Sequence, residues 1–367
     1  AREGIGVDVI CLKGNGQLQV EQIGQVTAHR ILRERSKEQL LSYLLFSVQF
    51  TVAAFLKLQS LSIRKSYQVI QIHNMPDYLV FSALFQKIRG RPLVLDLHDL
   101  SVELFGSKWS RSGSARLLPI VKWVEGICCR LSDAVITTSQ GFVKRLVERG
   151  VPPEKITLVM NTADPNIFTF KQRTFQVLSS GARLLYHGTV AERFGVATLI
   201  ESVSHLQKLV PGSTLNIYGK YDPSYRQYLE NLIQKMNLKD LVFLNGMKSL
   251  EEINEIIQQS DIGVVPYQSD DFMNLALSTK TFEYAATGLP IVASRVDSIT
   301  SIFDENCILY ATPSNSREFA ERISDLCRDP QRRSRQVNNA WQAVQGISYS
   351  VMIERYLNLM KGFMSTG

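Results

Sequence analysis

Residues 278–294, STKTFEYAATGLPIVAS, hold one carboxylate where a ligand would meet it. The pattern predicts a helix over 278–287, closed by Gly288, then a short apolar strand from Pro290. In an open α/β sheet, ligands gather at the carboxyl ends of strands and the amino ends of the helices that follow. A helix start there offers unpaired backbone N–H groups to a phosphate. Glu283, in the middle of the helix, suits the hydroxyls of a ribose. Lys280 falls in the first turn, where a cation opposes the helix dipole unless an anion is bound; the plainer alternative is a solvated lysine. A second strand-to-helix turn, HGTVAERFG (187–195), contains Gly188, which permits close backbone approach, and Thr189 and Arg193, which can donate to phosphate. An exposed loop arginine is the competing reading of Arg193. His98, followed by Asp99, ends the run PLVLDLH (92–98), and His73, followed by Asn74, ends QVIQIH (68–73). A histidine at such an end faces the ligand crevice or is a satisfied structural residue. Asp99 and Glu103 either orient His98 or cap the next helix. His73, Asn74 and Asp77 either line a ligand site or form a turn with an N-cap.

These positions require strands and helices in alternation, and both halves of the chain supply them. In the first half VDVICL (7–12), 68–73, 92–98 and AVITTS (134–139) read as short buried strands. Helix patterns occupy 38–58, 76–89, 114–131 and 140–149. In the second half, strands are predicted at 183–189, 213–219, 241–246, 262–267, 290–294 and 307–311. Helices are predicted at about 195–209, 222–236, 249–259, 278–287, 316–328, 330–345 and 349–365. This alternation argues α/β with parallel sheets. The seam lies near 161–180, which has neither period.

With 367 residues, 45% hydrophobic and 20% charged, the chain suits two globular domains. Its five cysteines form no C-x-x-C pair and no metal-ligand spacing, which suits a reducing cytoplasm. The net charge of +7 is uneven: residues 1–160 hold 21 Lys and Arg against 13 Asp and Glu, and the rest hold 20 against 21. A basic first half fits an anionic membrane surface, a phosphorylated partner or simple solubility. The basic residues are dispersed and no aromatic-basic motif accompanies them, which argues against nucleic acid. Residues 40–58 are apolar over nearly the length of a membrane span. Ser42, Ser47, Gln49 and Thr51 interrupt them. Leu41, Leu44, Leu45, Val48, Val52, Phe55 and Leu56 form a stripe at helix spacing, so the expectation is a helix packed on the sheet, with contact at a membrane surface and a membrane span as the alternatives.

Six segments in this order resemble the family-4 glycosyltransferases of GT-B fold: VDVICL, QVIQIHNMPDYLVFSAL, PLVLDLHDLSVELFGSKW, SDAVITTSQGFVKRLVERGVPPEKITLVMNTADPNIF, LLYHGTVAERFGVATLIESV and the stretch around Glu283. The resemblance implies two Rossmann-like domains facing a central cleft. An acceptor-side domain would span 1–160 and a nucleotide-sugar donor domain 161–346, with 347–367 a helix crossing back to the first. Family members open with a strand and a glycine-rich loop; this chain begins at Ala1, directly at what resembles the second strand, so the first strand is expected to be missing.

The implied reaction moves a sugar from a nucleotide-diphosphate donor to an acceptor hydroxyl with retention, in polysaccharide or glycolipid synthesis. His98 would contact the sugar and donor phosphate, and His73, Asn74 and Asp99 would lie on the acceptor side. Gly188, Thr189, Arg193, Lys280 and the amides of Ser278 and Thr279 would hold the diphosphate, and Glu283 the ribose. Many members have an arginine after the glycine and a lysine before the next one, where this chain has Thr189 and Phe194. The first of two family glutamates falls at Leu275, and Asn274 beside it is expected to substitute in part. No D-x-D motif is suitably placed, and the fold implies no metal and no cofactor beyond the donor. The partners implied are the donor, a glycan or lipid-linked acceptor and an anionic membrane surface, at the cytoplasmic face of the plasma membrane. A nucleotide-sugar 2-epimerase of the same fold, or a degenerate GT-B scaffold without activity, are the alternatives.

Overall fold

The computed structural model describes residues 3–33, 40–109 and 114–365. They form two compact units. The first comprises Ala1–Thr137, Leu146–Thr157 and Leu357–Gly367, and the second Thr138–Arg145 and Leu158–Tyr356.

The first unit contains β1 (Val7–Lys13), β2 (Val20–Ile23), β3 (Val26–Arg33), α1 (Leu40–Arg64), β4 (Ile70–His73), α2 (Leu84–Ile88), β5 (Leu93–Leu97), α3 (Ser101–Trp109), α4 (Leu118–Leu131), β6 (Ala134–Thr137), part of α5 (Gln140–Glu148), and β7 (Ile156–Leu158). Its strands form two sheets, β1-β3-β2 and β4-β5-β6-β7. All five residues of β5 are buried, as a parallel strand covered on both faces requires. The predicted helix over 76–89 is a 3₁₀ turn, Asp77–Ala83, followed by the short α2.

The β2–β3 hairpin has no counterpart in the strands read from sequence. Its turn is Gly24–Gln25, with Gly24 at φ +59°, the glycine-first signature of a two-residue hairpin. Val20 and Ile23 are exposed, so the apolar alternation that marks a half-buried strand is absent here.

Helix α1 corrects the expectation of a core stripe. Leu41, Leu45, Val48, Val52 and Leu56 lie on its exposed face, at 53–69% exposure. The buried face is Ser47, Ala54, Leu58 and Leu61. Ser47 Oγ makes a close hydrogen bond to the Tyr78 hydroxyl. A helix apolar on both sides gives periodicity no means of choosing a face. Over Leu41–Arg64 the helix is long and apolar enough to cross a membrane, with a mean hydropathy of 1.6. Residues 38 and 39 of the predicted helix lie outside the described residues.

The second unit contains β8 (Arg183–His187), α6 (Val196–Leu206), β9 (Thr214–Tyr218), α7 (Pro223–Lys235), β10 (Val242–Asn245), α8 (Leu250–Gln259), β11 (Ile262–Val265), α9 (Thr279–Thr287), β12 (Ile291–Ser294), α10 (Asp297–Thr300), β13 (Leu309–Ala311), α11 (Ser316–Arg328) and α12 (Pro330–Gln345). The final helix, α13 (Tyr349–Ser365), begins in this unit, and its residues from Leu357 belong to the first. The sheet is parallel, in the order β10-β9-β8-β11-β12-β13. Leu184, Leu215, Ile217 and Val264 of the sheet are almost wholly buried with Leu199, Val203, Phe319 and Ile323 of the helices. The chain leaves β8 toward β9 and β10, then returns to the other side of β8 to lay down β11, β12 and β13. The topological switch therefore falls between β8 and β11, and a crevice forms outside their carboxyl ends.

Candidate functional site

Residues from both sides of that switch point converge. Strand β8 ends at His187, and Gly188 follows at φ +114°. A Cβ at Gly188 would lie 3.2 Å from Lys280 Cε and 3.5 Å from Nζ, crowding the lysine, and the backbone at this φ is strained for any residue but glycine. Gly195 caps the start of α6 at φ +66°, and a Cβ there would overlap the Pro266 carbonyl. These two glycines let the loop after β8 pass close to the loop after β11.

Lys280 is buried at 5% exposure, which removes the solvated alternative. Its Nζ lies 4.7 Å from the Tyr267 ring centre, 4.9 Å from Tyr186 and 5.4 Å from Phe194. It donates to the Tyr267 hydroxyl at 2.8 Å, which in turn donates to Ser278 Oγ at 3.1 Å. Among the described residues no carboxylate lies within ion-pair distance of it. A buried cation ordinarily has an anionic partner, so this cage suits an anion brought from outside. Ser278 is the N-cap of α9 with no side-chain capping bond, so the first amides of the helix add donors to the same place.

Glu283 lies one turn further along α9, 3.1 Å from His187 Nε2. Among the described residues, neither His187 Nε2 nor Glu283 Oε2 has an aligned hydrogen bond, although both atoms are buried. The contact is therefore a close approach and not a formed ion pair. Burial pushes the Glu283 carboxyl up to about 7, partly opposed by Lys280. Burial, with Lys280 adding to it, lowers His187 to about 3. Near neutrality the imidazole is uncharged and the carboxyl is poised between forms. An unsatisfied buried carboxyl beside an unsatisfied imidazole is a receptor for hydroxyl groups.

The remaining residues proposed from sequence are placed as follows. Thr189 is exposed, and its carbonyl accepts from the Tyr186 hydroxyl at 2.6 Å. Arg193 lies over the Phe272 ring at 5.5 Å. Asn274 donates to Ser269 Oγ at 3.1 Å, and Thr279 is exposed in the first turn of α9. His187, Tyr186 and Tyr267 were not singled out in the sequence. His187 directly precedes Gly188 and Tyr267 follows Pro266 after β11, so position at a strand end was the available signal.

The first unit brings His73 and His98 together at the ends of the neighbouring strands β4 and β5, with 3.4 Å between Nδ1 and Nε2. Asp96 is beside both. Asn74 fastens the two strand-end loops: its amide donates to Asp77 Oδ1 and to the Asp99 carbonyl, and its Oδ1 accepts from the His98 backbone N–H. Asn74 thus positions His98. Asp77 is buried and also accepts from Ser101, which is a structural role. Glu103 pairs with Arg149.

Comparison with known proteins follows the same division. Residues 170–343 match the family model "Glycosyl transferases group 1", and residues 1–162 match "Glycosyl transferase 4-like domain". An alpha-D-kanosaminyltransferase of Streptomyces kanamyceticus is 25% identical over 267 residues, covering 70% of this chain and 67% of the relative. The amylovoran biosynthesis glycosyltransferase AmsK of Erwinia amylovora is 25% identical over 194 residues, covering 52% of this chain; the chain spans about half of that relative, 46%. Among solved structures, sucrose-phosphate synthase from Thermosynechococcus elongatus aligns with a TM-score of 0.76 at 18% identity, covering 100% of this chain and 91% of that one. Anabaena HepE, solved with UDP and glucose, aligns at 0.68 and 16% identity, covering 92% and 86%. Between them the two family matches take in nearly the whole sequence, and the chain belongs to the family-4, group 1 glycosyltransferases of GT-B fold.

Proposed function

We propose that this chain transfers a hexose from a nucleoside-diphosphate sugar to an acceptor hydroxyl, with retention of anomeric configuration, in the synthesis of a cell-surface polysaccharide or glycolipid. The observation that carries the reading is the caged, carboxylate-free Lys280 at the start of α9, one turn from the unsatisfied Glu283–His187 pair. The cage and the α9 amides take the diphosphate, with Gly188 allowing close approach and Thr189 and Arg193 adding donors. Glu283 takes the ribose hydroxyls. In transfer, the bond from the anomeric carbon to the leaving phosphate oxygen breaks, a bond to the acceptor oxygen forms, and the acceptor proton passes to the diphosphate. Fixed cations and helix amides stabilise the leaving charge, so no metal is assigned to the step. His98 serves the sugar and phosphate, and His73, Asn74 and Asp99 the acceptor side. That HepE was solved with UDP and with UDP-glucose supports the donor class, and the polysaccharide enzymes among the relatives support the product class.

Calorimetric titration with UDP, GDP and ADP tests the donor site. One of them should bind selectively, and Glu283→Ala should weaken it by about 10- to 100-fold, the worth of hydrogen bonds to a charged group. A carboxyl at about 7 also sets a pH dependence. Hydroxyls donate to the ionised form, so affinity for the intact nucleotide sugar should rise about tenfold from pH 6 to pH 8. Glu283→Gln should flatten that rise. Absence of binding by all three nucleotides would favour a degenerate scaffold, and release of free epimer without acceptor would favour the epimerase.

The exposed stripe of α1 and the basic first half suggest where the acceptor is met. We propose that α1 seats on an anionic membrane surface at the cytoplasmic side, apolar face down. Anionic vesicles should retain the chain and neutral ones should retain it less. Leu45→Glu with Val52→Glu should cut retention at least tenfold. Equal partitioning of the wild type and the double variant would sink the membrane role.

A further inference from the structure

The histidine pair of the first unit has a geometry that the transfer reaction does not require. Gln71 and His73 are two apart on β4, and Asp96 and His98 are two apart at the end of β5. Each pair therefore projects from one face of its strand. His73 lies opposite Asp96 in the parallel register, so the four side chains share a patch. His73 Nδ1 is 3.1 Å from Asp96 Oδ2, His98 Nε2 is 3.5 Å from the same oxygen, and the two nitrogens are 3.4 Å apart. The ring planes are within 18° and the centroids 5.7 Å apart, so each nitrogen is on the side of its ring that faces the other.

Three ligand atoms thus form a nearly equilateral triangle. Bonds of about 2.0–2.1 Å in tetrahedral array put ligand atoms roughly 3.3 Å apart. A simple His–Asp pair needs only one of these contacts and gives no reason for all three to be equal. The surroundings also fit a ligand site. Asp96 is 6% exposed, and its Oδ1 has no hydrogen-bond partner among the described residues. Gln71 Nε2 donates to Asp96 Oδ2 at 2.9 Å, the outer contact that fixes a ligating carboxylate. Both imidazoles are about half exposed, so an ion can enter.

We propose that His73, Asp96 and His98 bind a zinc-class divalent cation. Two imidazole nitrogens with one carboxylate select zinc and its neighbours over magnesium or calcium, which prefer oxygen. The binding claim is independent of the transfer reaction. Resting on the transfer reading, a second consequence follows: bound zinc occupies the nitrogen of His98 and so inhibits the enzyme.

The test uses the full chain freed of metal with a chelator. Zn²⁺ is titrated against a chromophoric chelator, and Co²⁺ is followed by its visible spectrum. One equivalent should bind and excess Mg²⁺ should not displace it. His73→Ala and His98→Ala should each weaken binding about 100-fold or more, and Gln71→Leu about 10-fold, the lower figure for loss of an outer contact. Both histidines are exposed, so these variants should keep the wild-type circular dichroism. Zinc stoichiometry and affinity unchanged in folded His73→Ala and His98→Ala would overturn the proposal, as would displacement by Mg²⁺. If transfer proves absent altogether, the binding titration still decides the site.

Discussion

Lys280→Met should weaken nucleotide-sugar binding by about 30-fold or more while leaving the unliganded protein at least as stable as wild type. The two halves of this result have one cause. In the free protein the lysine is buried among Tyr186, Phe194 and Tyr267, with no carboxylate at ion-pair distance among the described residues and Glu283 acting on it only from further off. Cation–π contacts return about 0.5–2 kcal/mol, and the Tyr267 hydroxyl accepts one hydrogen bond. Against these stands the cost of an ammonium taken out of water. Methionine has similar length, fills the cage and makes favourable sulfur–aromatic contacts. Removing one partner of a buried charge pair in the complex costs about 2–5 kcal/mol, and the loss appears only when the anion is present. Thermal melts without ligand and calorimetry with it separate the cases. A lysine that merely supports the fold would give the reverse pattern, a lowered melting temperature with affinity intact. Activity bought with a destabilised site is a recurrent pattern in enzymes.

The site was legible in sequence where chemistry and chain order coincide. Gly188 and Lys280 sit at a strand end and a helix start, with Glu283 one turn further along the same helix, and the alternation of strands and helices placed those ends on one side of a sheet. Glycine at 188 marked one close approach; the other, at Gly195, is apparent only in the fold. What sequence did not show was depth. Lys280 reads equally as a solvated first-turn residue, because the aromatic side chains around it come from positions 186, 194 and 267. His187 acquires its role from Glu283, nearly a hundred positions away. Asp96 drew no reading within the apolar run 92–98, yet it joins two histidines through the register of β4 against β5. The face that α1 exposes was misread for the same reason: a helix apolar all round is assigned a side only by what packs on it. The β2–β3 hairpin escaped because its outer strand is short and exposed, leaving Gly24 as the sole cue.

Arg149→Met should cost the first unit about 3–5 kcal/mol, the largest stability loss expected from any single change in it. Arg149 Nη1 donates to Glu125 Oε1 at 2.6 Å, and Nη2 makes a close contact with Glu103. Glu125 and Glu103 are 1% and 7% exposed, and the second oxygen of Glu125 has no hydrogen-bond partner among the described residues. Burial raises Asp77, a third carboxyl nearby, against a weaker electrostatic pull from Arg149. Take the arginine away and Glu125 loses the cation paired with it in apolar surroundings, so it must fold protonated. The pH signature follows from the sign of the shift. Burial already pushes Glu125 up to about 7 against the pull of Arg149. A carboxyl raised on folding binds more protons in the native state, so its contribution weakens as pH rises from about 4.5 through 7. Loss of Arg149 removes the lowering influence and should steepen that decline. Urea unfolding at pH 5 and pH 8 measures it: the gap between wild type and Arg149→Met should widen at the higher pH. Adding Glu125→Gln to Arg149→Met should recover part of the loss at pH 8 and little at pH 5. An equal deficit at both pH values, untouched by Glu125→Gln, would mean that Arg149 acts through packing of its stem and not through charge.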